Sequence, residues 1–325
     1  MKFYINPREL PVYAQKDRIL KAMAENPVIV VESPTGSGKT TQLPLILHEA
    51  GYSRTGVIGI TQPRRIAAVS VCEYIASQID SPVPGTVGYK MRFEDVTIPE
   101  TRIKVMTDGI LLQELKNDTL LSKYSVIMVD EAHERSLNID FILGLLKKIL
   151  EARDDFKVII SSATINTDIF SEYFNSCPVV HIETSVFPVQ VIYDPLPENA
   201  QREFLISKIV EIVKRCDDNG NEGDILIFLP GEKDIKDCIS LLELVTSVKK
   251  RLFLVPLYGR LSKEEQEKVF IPTPPGKTKV VVATNIAETS VTINGVTVVI
   301  DSGLAKLNHY NPRTSTSVGD SKGFM

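Results

Sequence analysis

Val28-Ile29-Val30-Val31-Glu32-Ser33-Pro34-Thr35-Gly36-Ser37-Gly38-Lys39-Thr40 is the stretch on which the fold turns. Its first residues are a short, β-branched apolar run, which suits a buried strand. The segment after it is rich in glycine, ends in Lys39-Thr40, and leads into a helical pattern at about 39–50. A phosphate-binding loop needs that context. Glycines let backbone N–H groups turn inward on phosphates, and the helix N-terminus adds partial positive charge. Lys39 would then reach the β- and γ-phosphates of ATP or another NTP, and the Thr40 hydroxyl would hold Mg²⁺. Ser33, Pro34, Thr35, Gly36, Ser37 and Gly38 supply the cradle, although Ser33 stands where the strict pattern has glycine. A Gly-rich turn with a chance lysine is the plainer alternative; the flanking strand and helix speak against it.

The same alternation continues outward. Val57-Ile58-Gly59-Ile60, Ile103-Lys104-Val105-Met106, Val126-Ile127-Met128-Val129 and Val158-Ile159-Ile160 read as further short buried strands. Helix candidates lie between them at about 65–79, 109–116 and 139–151. Strand-helix alternation predicts a parallel sheet covered on both faces. The pattern restarts after the Pro-rich patch from Phe187-Pro188 to Pro197, with strands at 225–229, 252–255, 280–282 and 296–300. The boundary is expected near 184–197. Asp217 to Gly223 and Pro272 to Gly276 read as loops by composition.

A P-loop needs an acidic partner at the end of a neighbouring strand. Val126–Val129 delivers Asp130-Glu131-Ala132-His133 there, the end at which ligands bind in open α/β sheets. Asp130 suits the Mg²⁺ shell. Glu131 can share in it, and can orient and deprotonate the attacking water. Acidic residues after a strand often merely cap the next helix, but beside the 33–40 loop they indicate an ATPase.

At 325 residues the chain suits two domains, at about 150 residues each. Apolar residues at 43% and charged residues at 24% exclude disorder as the main state. No run of 18 apolar residues occurs, so no membrane span is expected. The start, Met1 to Arg8, has no apolar core and does not read as a signal peptide. Cys72, Cys177, Cys216 and Cys238 are scattered, which argues against structural zinc and for a reducing, cytoplasmic setting. A net charge of −4 confines any nucleic-acid contact to local basic positions.

At Asp130-Glu131-Ala132-His133 the chain resembles the DEAH-box helicases of superfamily 2. Thr61-Gln62-Pro63-Arg64-Arg65-Ile66-Ala67-Ala68 is similar to motif Ia, Thr107-Asp108-Gly109-Ile110-Leu111-Leu112 to motif Ib, and Ser162-Ala163-Thr164 to motif III. Phe228-Leu229-Pro230-Gly231 resembles motif IV, and Ala283-Thr284-Asn285-Ile286-Ala287-Glu288-Thr289-Ser290 resembles motif V. The stretch Asp130 to Phe141 is close to the bacterial HrpA-type proteins, as is the near absence of sequence before the core. The resemblance implies two tandem RecA-like P-loop domains with parallel sheets flanked by helices, 1–184 and 185–325, the second incomplete. It implies ATP in their cleft and RNA across the top.

Carried over residue by residue, motif I gives Gly36, Gly38, Lys39 and Thr40 as nucleotide and Mg²⁺ ligands. Asp130 and Glu131 complete the metal site. His133 couples the nucleotide to the second domain, while Ser162 and Thr164 relay closure. Arg64, Arg65, Arg92 and Thr107, with Gly231, Thr284 and Asn285 of the second domain, would contact the RNA backbone. A solvated helix start is the bland alternative for Arg64 and Arg65. Backbone contacts give affinity without sequence reading. The partners implied are RNA and RNP or ribosome-associated proteins, around a monomer.

Three departures from the family pattern stand out. Phe270 matches one half of the family's base clamp, but Tyr74 stands where its arginine is expected, which makes the clamp aromatic on both sides. Asn294 replaces an aspartate near the ribose. Motif VI, Q-R-x-G-R-x-G-R, which carries the arginine fingers, occurs nowhere in the sequence. The stretch between Tyr310 and Ser321 is short for the hairpin the family places there, and the winged-helix, ratchet and oligonucleotide-binding domains are missing. The expected function is an ATP-dependent RNA helicase or RNP-remodelling core, truncated before motif VI. The alternatives are a nucleotide- and RNA-binding fragment with little turnover, and a P-loop ATPase acting on duplex DNA or protein. His48, His181 and His309 lack ligand spacing, and Lys147-Lys148 and Lys249-Lys250-Arg251 read as solvated charge clusters.

Overall fold

Ile29 and Val31 face one way from the first strand and Val28 and Val30 the other, and both pairs are buried. A strand with two apolar faces must be covered twice, and that requirement organises the first half of the chain. The computed structural model describes residues 7–34, 36–163, 167–184, 188–197, 202–220, 222–244, 252–289, 293–311 and 316–323. The chain divides into two compact units, Met1–Pro188 and Val189–Met325.

The first unit begins with a short turn α1 (Pro11–Ala14) and helix α2 (Lys16–Glu25). Strands β1 (Val28–Glu32), β2 (Val57–Gln62), β3 (Val87–Met91), β4 (Glu94–Val96), β5 (Ile103–Thr107), β6 (Tyr124–Val129), β7 (Lys157–Ser162) and β8 (Val179–His181) form its sheet. The order is β4-β3-β5-β2-β6-β7-β1-β8, parallel throughout except for the β3–β4 hairpin. Helices α3 (Lys39–Glu49) and α4 (Arg65–Gln78), with α2, cover the face carrying Ile29, Ile58, Ile60, Met128 and Ile159. Helices α5 (Asp108–Asn117), α6 (Leu137–Ala152) and α7 (Asp168–Tyr173) cover the face carrying Val30, Ile127, Val129 and Ile160. Ser136 caps α6 by accepting the Ile139 N–H at 3.2 Å.

The second unit packs helices α8 (Arg202–Asp218) and α9 (Glu232–Leu244) with a parallel sheet. Its strands are β9 (Asp224–Phe228), β10 (Leu252–Leu257), β11 (Thr278–Ala283) and β12 (Val296–Asp301), in the order β10-β11-β9-β12. A buried ionic knot ties the amino ends of β9 and β11. Lys279, 3% exposed, lies 3.7 Å from Asp224 and donates to the carbonyls of Val269 (3.2 Å) and Ile271 (3.1 Å). Thr273 donates to the same aspartate at 2.6 Å.

Two expectations need correction. Asp217 and Asp218 belong to the last turn of α8 and not to the loop that follows. The stretch between Tyr310 and Ser321, expected to be short for a hairpin, lies within one: β13 (Leu304–Asn311) runs against β14 (Thr316–Gly323), paired from Leu304↔Gly323 to Asn311↔Thr316. It fits because its first strand starts well before Tyr310. No described helix is long and apolar enough to cross a membrane.

Candidate active site

Parallel strands deliver their carboxyl ends to one edge of a sheet, and the order of the first sheet sorts what arrives there. Adjacent strands β6, β7 and β1 bring Asp130-Glu131, Ser162-Ala163 and the 33–40 loop side by side. The next neighbours, β3, β5 and β2, bring Arg92, Thr107 and Arg64-Arg65.

The loop after β1 turns on two left-handed residues, Gly36 (φ +84) and Gly38 (φ +89). At Gly36 an added Cβ would meet nothing within 4 Å, so the backbone angle alone demands glycine. At Gly38 it would lie 2.8 Å from Leu10 Cδ1 and 3.2 Å from Leu10 Cβ, so a side chain there would also displace Leu10. Lys39 is 3% exposed and its ammonium donates to the Ser33 carbonyl at 3.2 Å. Ser33 is held in turn by its N–H on the Ser162 carbonyl at 3.1 Å. Thr35 lies outside the described residues.

Thr40 Oγ1 donates to Asp130 Oδ2 at 2.7 Å, joining loop and acidic strand end. Asp130 is fully buried, and its Oδ1 has no hydrogen bond; neither have Ser37 Oγ and Glu131 Oε2, the latter facing His133 Nε2 at 3.4 Å. Buried oxygens left without partners are costly and call for an explanation. Asp130 Oδ1 and Glu131 Oε2 would be able to hold a hydrated divalent cation, and hard oxygen donors are what Mg²⁺ takes. The donor set fits Mg²⁺. Glu131 sits at φ +53, a left-handed conformation that non-glycine residues adopt sparingly. Burial, with Asp130 beside it, pushes the Glu131 carboxyl up to about 7. His133 is held below the ordinary imidazole range by burial and by Lys39, and its Nδ1 accepts the Ala163 N–H at 3.2 Å. Ser162 is fully buried at the end of β7, and Thr164 lies outside the described residues.

The basic positions differ in freedom. Arg64 pairs with Glu134 at 3.4 Å, while Arg65 is exposed at the start of α4. Arg92 is exposed and stacks over the Phe93 ring at 4.9 Å. Thr107 ends β5 and precedes α5. Tyr74 is 45% exposed on α4. In the second unit, Gly231 follows β9, and Thr284 and Asn285 follow the adjacent β11, again at carboxyl ends. Phe270 is 40% exposed, between the two residues whose carbonyls Lys279 holds.

Three participants went unassigned in the sequence. Gln62, 2% exposed, donates to Asp130 Oδ2 at 2.6 Å. Glu134 pairs with Arg64. Asp108, buried with an unbonded Oδ1, has its carboxyl pushed up to about 6 by burial, with added repulsion from Glu134 and Asp130. Their only sequence signal is that Gln62 and Asp108 fall within motifs Ia and Ib and that Glu134 directly follows Asp130-Glu131-Ala132-His133. Among the charge clusters, Lys147 binds the Tyr173 carbonyl and ring, and 249–251 lie outside the described residues. His48 bonds Ser53 (2.7 Å) and His181 lies 3.1 Å from Glu32, consistent with structural roles.

Known proteins share the sequence and the fold of this chain. The chain matches the DEAD/DEAH box helicase domain over residues 13–171 and the helicase conserved C-terminal domain over residues 201–316. It is 57% identical, over 96% of its length, to the ATP-dependent RNA helicase HrpA of Borreliella burgdorferi, of which it covers 38%. To the Escherichia coli ATP-dependent RNA helicase HrpA it is 45% identical over 95% of its length, covering 24% of that protein. The crystal structure of the Escherichia coli DEAH/RHA helicase HrpB superposes with a TM-score of 0.87 at 36% identity, over 97% of this chain and 40% of that one. The chain therefore spans well under half the length of these relatives. Two matched domains in tandem, with an intact Lys39-Thr40 and Asp130-Glu131-Ala132-His133, place it plainly: the chain belongs to the DEAH-box helicases of the HrpA type, a family of NTP-hydrolysing enzymes.

Proposed function

We propose that the chain is the motor core of an RNA helicase or RNP-remodelling enzyme, hydrolysing ATP or another NTP with Mg²⁺. The observation that carries this is the Thr40–Asp130 bond beneath the glycine loop, with Asp130 Oδ1 buried and unbonded and the Glu131 carboxylate, 3.4 Å from His133, beside it. In this reading Lys39 leaves the Ser33 carbonyl for a phosphate oxygen, and Thr40 and Asp130 hold the metal shell. Bound Mg²⁺ supplies charge neutralisation at the β- and γ-phosphates. Glu131 also borders that shell, orients the attacking water and accepts its proton. His133 lies between Glu131 and the Ala163 N–H, and with Ser162 and Thr164 it relays the state of the nucleotide.

RNA is the polymer partner, held by its backbone at Arg64, Arg65, Arg92 and Thr107, and in the second unit at Gly231, Thr284 and Asn285. Tyr74 and Phe270 offer rings to the base, RNP or ribosome-associated proteins are the protein partners, and a cytoplasmic monomer is the setting. The test is steady-state phosphate release with and without single-stranded RNA, on a chain extended through motif VI. RNA should stimulate release, and Glu131→Gln should abolish it while sparing nucleotide binding. Equal rates with and without RNA would overturn the assignment.

A further inference from the structure

The register of the first sheet aligns three strand ends that serve different partners in the proposed function. Gln62, the last residue of β2, pairs with Thr107 at the end of β5. On its other side Thr61 pairs with Val129, which sets Gln62 beside Asp130. One row therefore runs Thr107, Gln62, Asp130, from an RNA-backbone position to the metal carboxylate. Gln62 is nine-tenths buried or more, and its Nε2 donates to Asp130 Oδ2 at 2.6 Å. That oxygen also accepts Thr40 Oγ1 at 2.7 Å. Two donors on Oδ2 fix the plane of the carboxylate and leave Oδ1 unbonded. Two residues beyond Gln62, Arg64 reaches Glu134 at 3.4 Å, a second tie between the same two loops.

We infer that Gln62 is a positioning residue that couples Mg²⁺·nucleotide occupancy at Asp130 to RNA contact at Thr107 and Arg64. A metal on Oδ1 cannot tilt the Asp130 carboxylate without carrying the Gln62 amide or breaking its bond to Oδ2. That amide belongs to the strand end whose backbone pairs with Thr107 and from which the Arg64-Arg65 loop departs. Coupling of this kind is reciprocal, so RNA that shifts the loop resets the carboxylate. A neutral donor suits the task. A lysine here would neutralise Asp130 and compete with the metal, and an apolar residue would leave Oδ2 with one donor.

The inference rests on the proposed function, and its test separates the two. RNA affinity is measured with a labelled oligouridylate, with and without a non-hydrolysable ATP analogue and Mg²⁺, in the full chain and in Gln62→Met. Binding of the analogue is titrated with and without Mg²⁺ in both. Removing such an outer partner of a metal ligand lowers metal affinity about 10–100-fold. Gln62→Met should lose Mg²⁺ enhancement by about tenfold at the least, keep its Mg²⁺-free nucleotide affinity, and show RNA affinity indifferent to nucleotide. The retained Mg²⁺-free affinity certifies the fold; if Gln62→Met fails to fold, Gln62→Asn, which shortens the reach and keeps the amide, takes its place. Wild-type coupling that survives intact in the variant overturns the role of Gln62 alone. No Mg²⁺ enhancement in the wild type overturns the metal site and this inference with it.

Discussion

His133 accepts the Ala163 N–H at Nδ1 (3.2 Å) and stands with Nε2 3.4 Å from Glu131 Oε2. A ring nitrogen that accepts carries no proton, so a neutral imidazole keeps its proton on the side facing Glu131. Burial and Lys39 favour that neutral form, while burial and Asp130 favour a protonated Glu131. In the nucleotide-free protein both groups are thus biased against charge.

This bias has a stability signature. The Glu131 carboxyl titrates at about 7 in the folded chain, above the ordinary value of 4.5. Protonation therefore favours the fold, with that contribution complete below the ordinary value and lost as the pH rises through about 7. Glu131→Gln should gain on the wild type with rising pH, by at most on the order of 3 kcal/mol. Urea unfolding of metal-free protein at about pH 5 and about pH 8 measures the difference. A gap between variant and wild type that does not change with pH removes the basis for the raised value.

The two loop glycines should fail unequally. Gly36→Ala meets only the left-handed penalty, about 1–2 kcal/mol. Gly38→Ala adds a clash with the Leu10 side chain, whose Cδ1 must shift. Its melting temperature should fall further, and its nucleotide affinity should fall with it. Equal losses at both positions would show that the Leu10 contact yields without cost.

Nucleotide affinity tests the lysine and the ring separately. In the proposed site Lys39→Ala would delete the point charge offered to the β- and γ-phosphates, and it should remove most affinity by calorimetry. A ring stacks on any base, so ATP, GTP, CTP and UTP should bind within about tenfold, roughly 1.4 kcal/mol, of one another. Phe270→Ala should weaken all four together. A hundredfold preference for ATP would reveal a residue reading the base edge.

Turnover by these 325 residues alone should be small. An arginine finger is worth roughly 10³–10⁵ in rate in phosphoryl transfer, and the sequence contains no Q-R-x-G-R-x-G-R. Nucleotide binding and weak RNA binding should persist, with a trace of hydrolysis and negligible strand separation. Phosphate release compared with a chain extended through motif VI decides it. Equal RNA-stimulated rates would mean that another cation serves.

Much of the site is legible along the chain because its parts are local. A β-branched run, then glycines, then Lys39-Thr40 announces a strand, loop and helix; the buried run ending in Asp130-Glu131 announces its partner. The β3–β4 hairpin is harder to read, since Gly88 and Lys90 interrupt the apolar pattern of Val87–Met91. Helix α2 is hidden by its charges, with only Ile19 and Met23 buried. Gln62 is illegible for a deeper reason. Its partner is set by which strand lies beside β2, and that order belongs to the packed sheet.

The ionic knot at Lys279 changes what kind of segment the Phe270 loop is. Surface connections ordinarily open at little cost, independently of the sheet they leave. Here the carbonyls on both sides of Phe270 rest on one buried ammonium, and Thr273 rests on the carboxylate that neutralises it. Freeing the loop would take both carbonyl acceptors from the ammonium and leave Asp224, at 3.7 Å, as its partner, so opening carries the cost of hydrogen bonds lost at a buried charge. The exposed ring is therefore carried on backbone anchored to the amino ends of β9 and β11. Its amide protons should exchange with solvent on the slow schedule of the core.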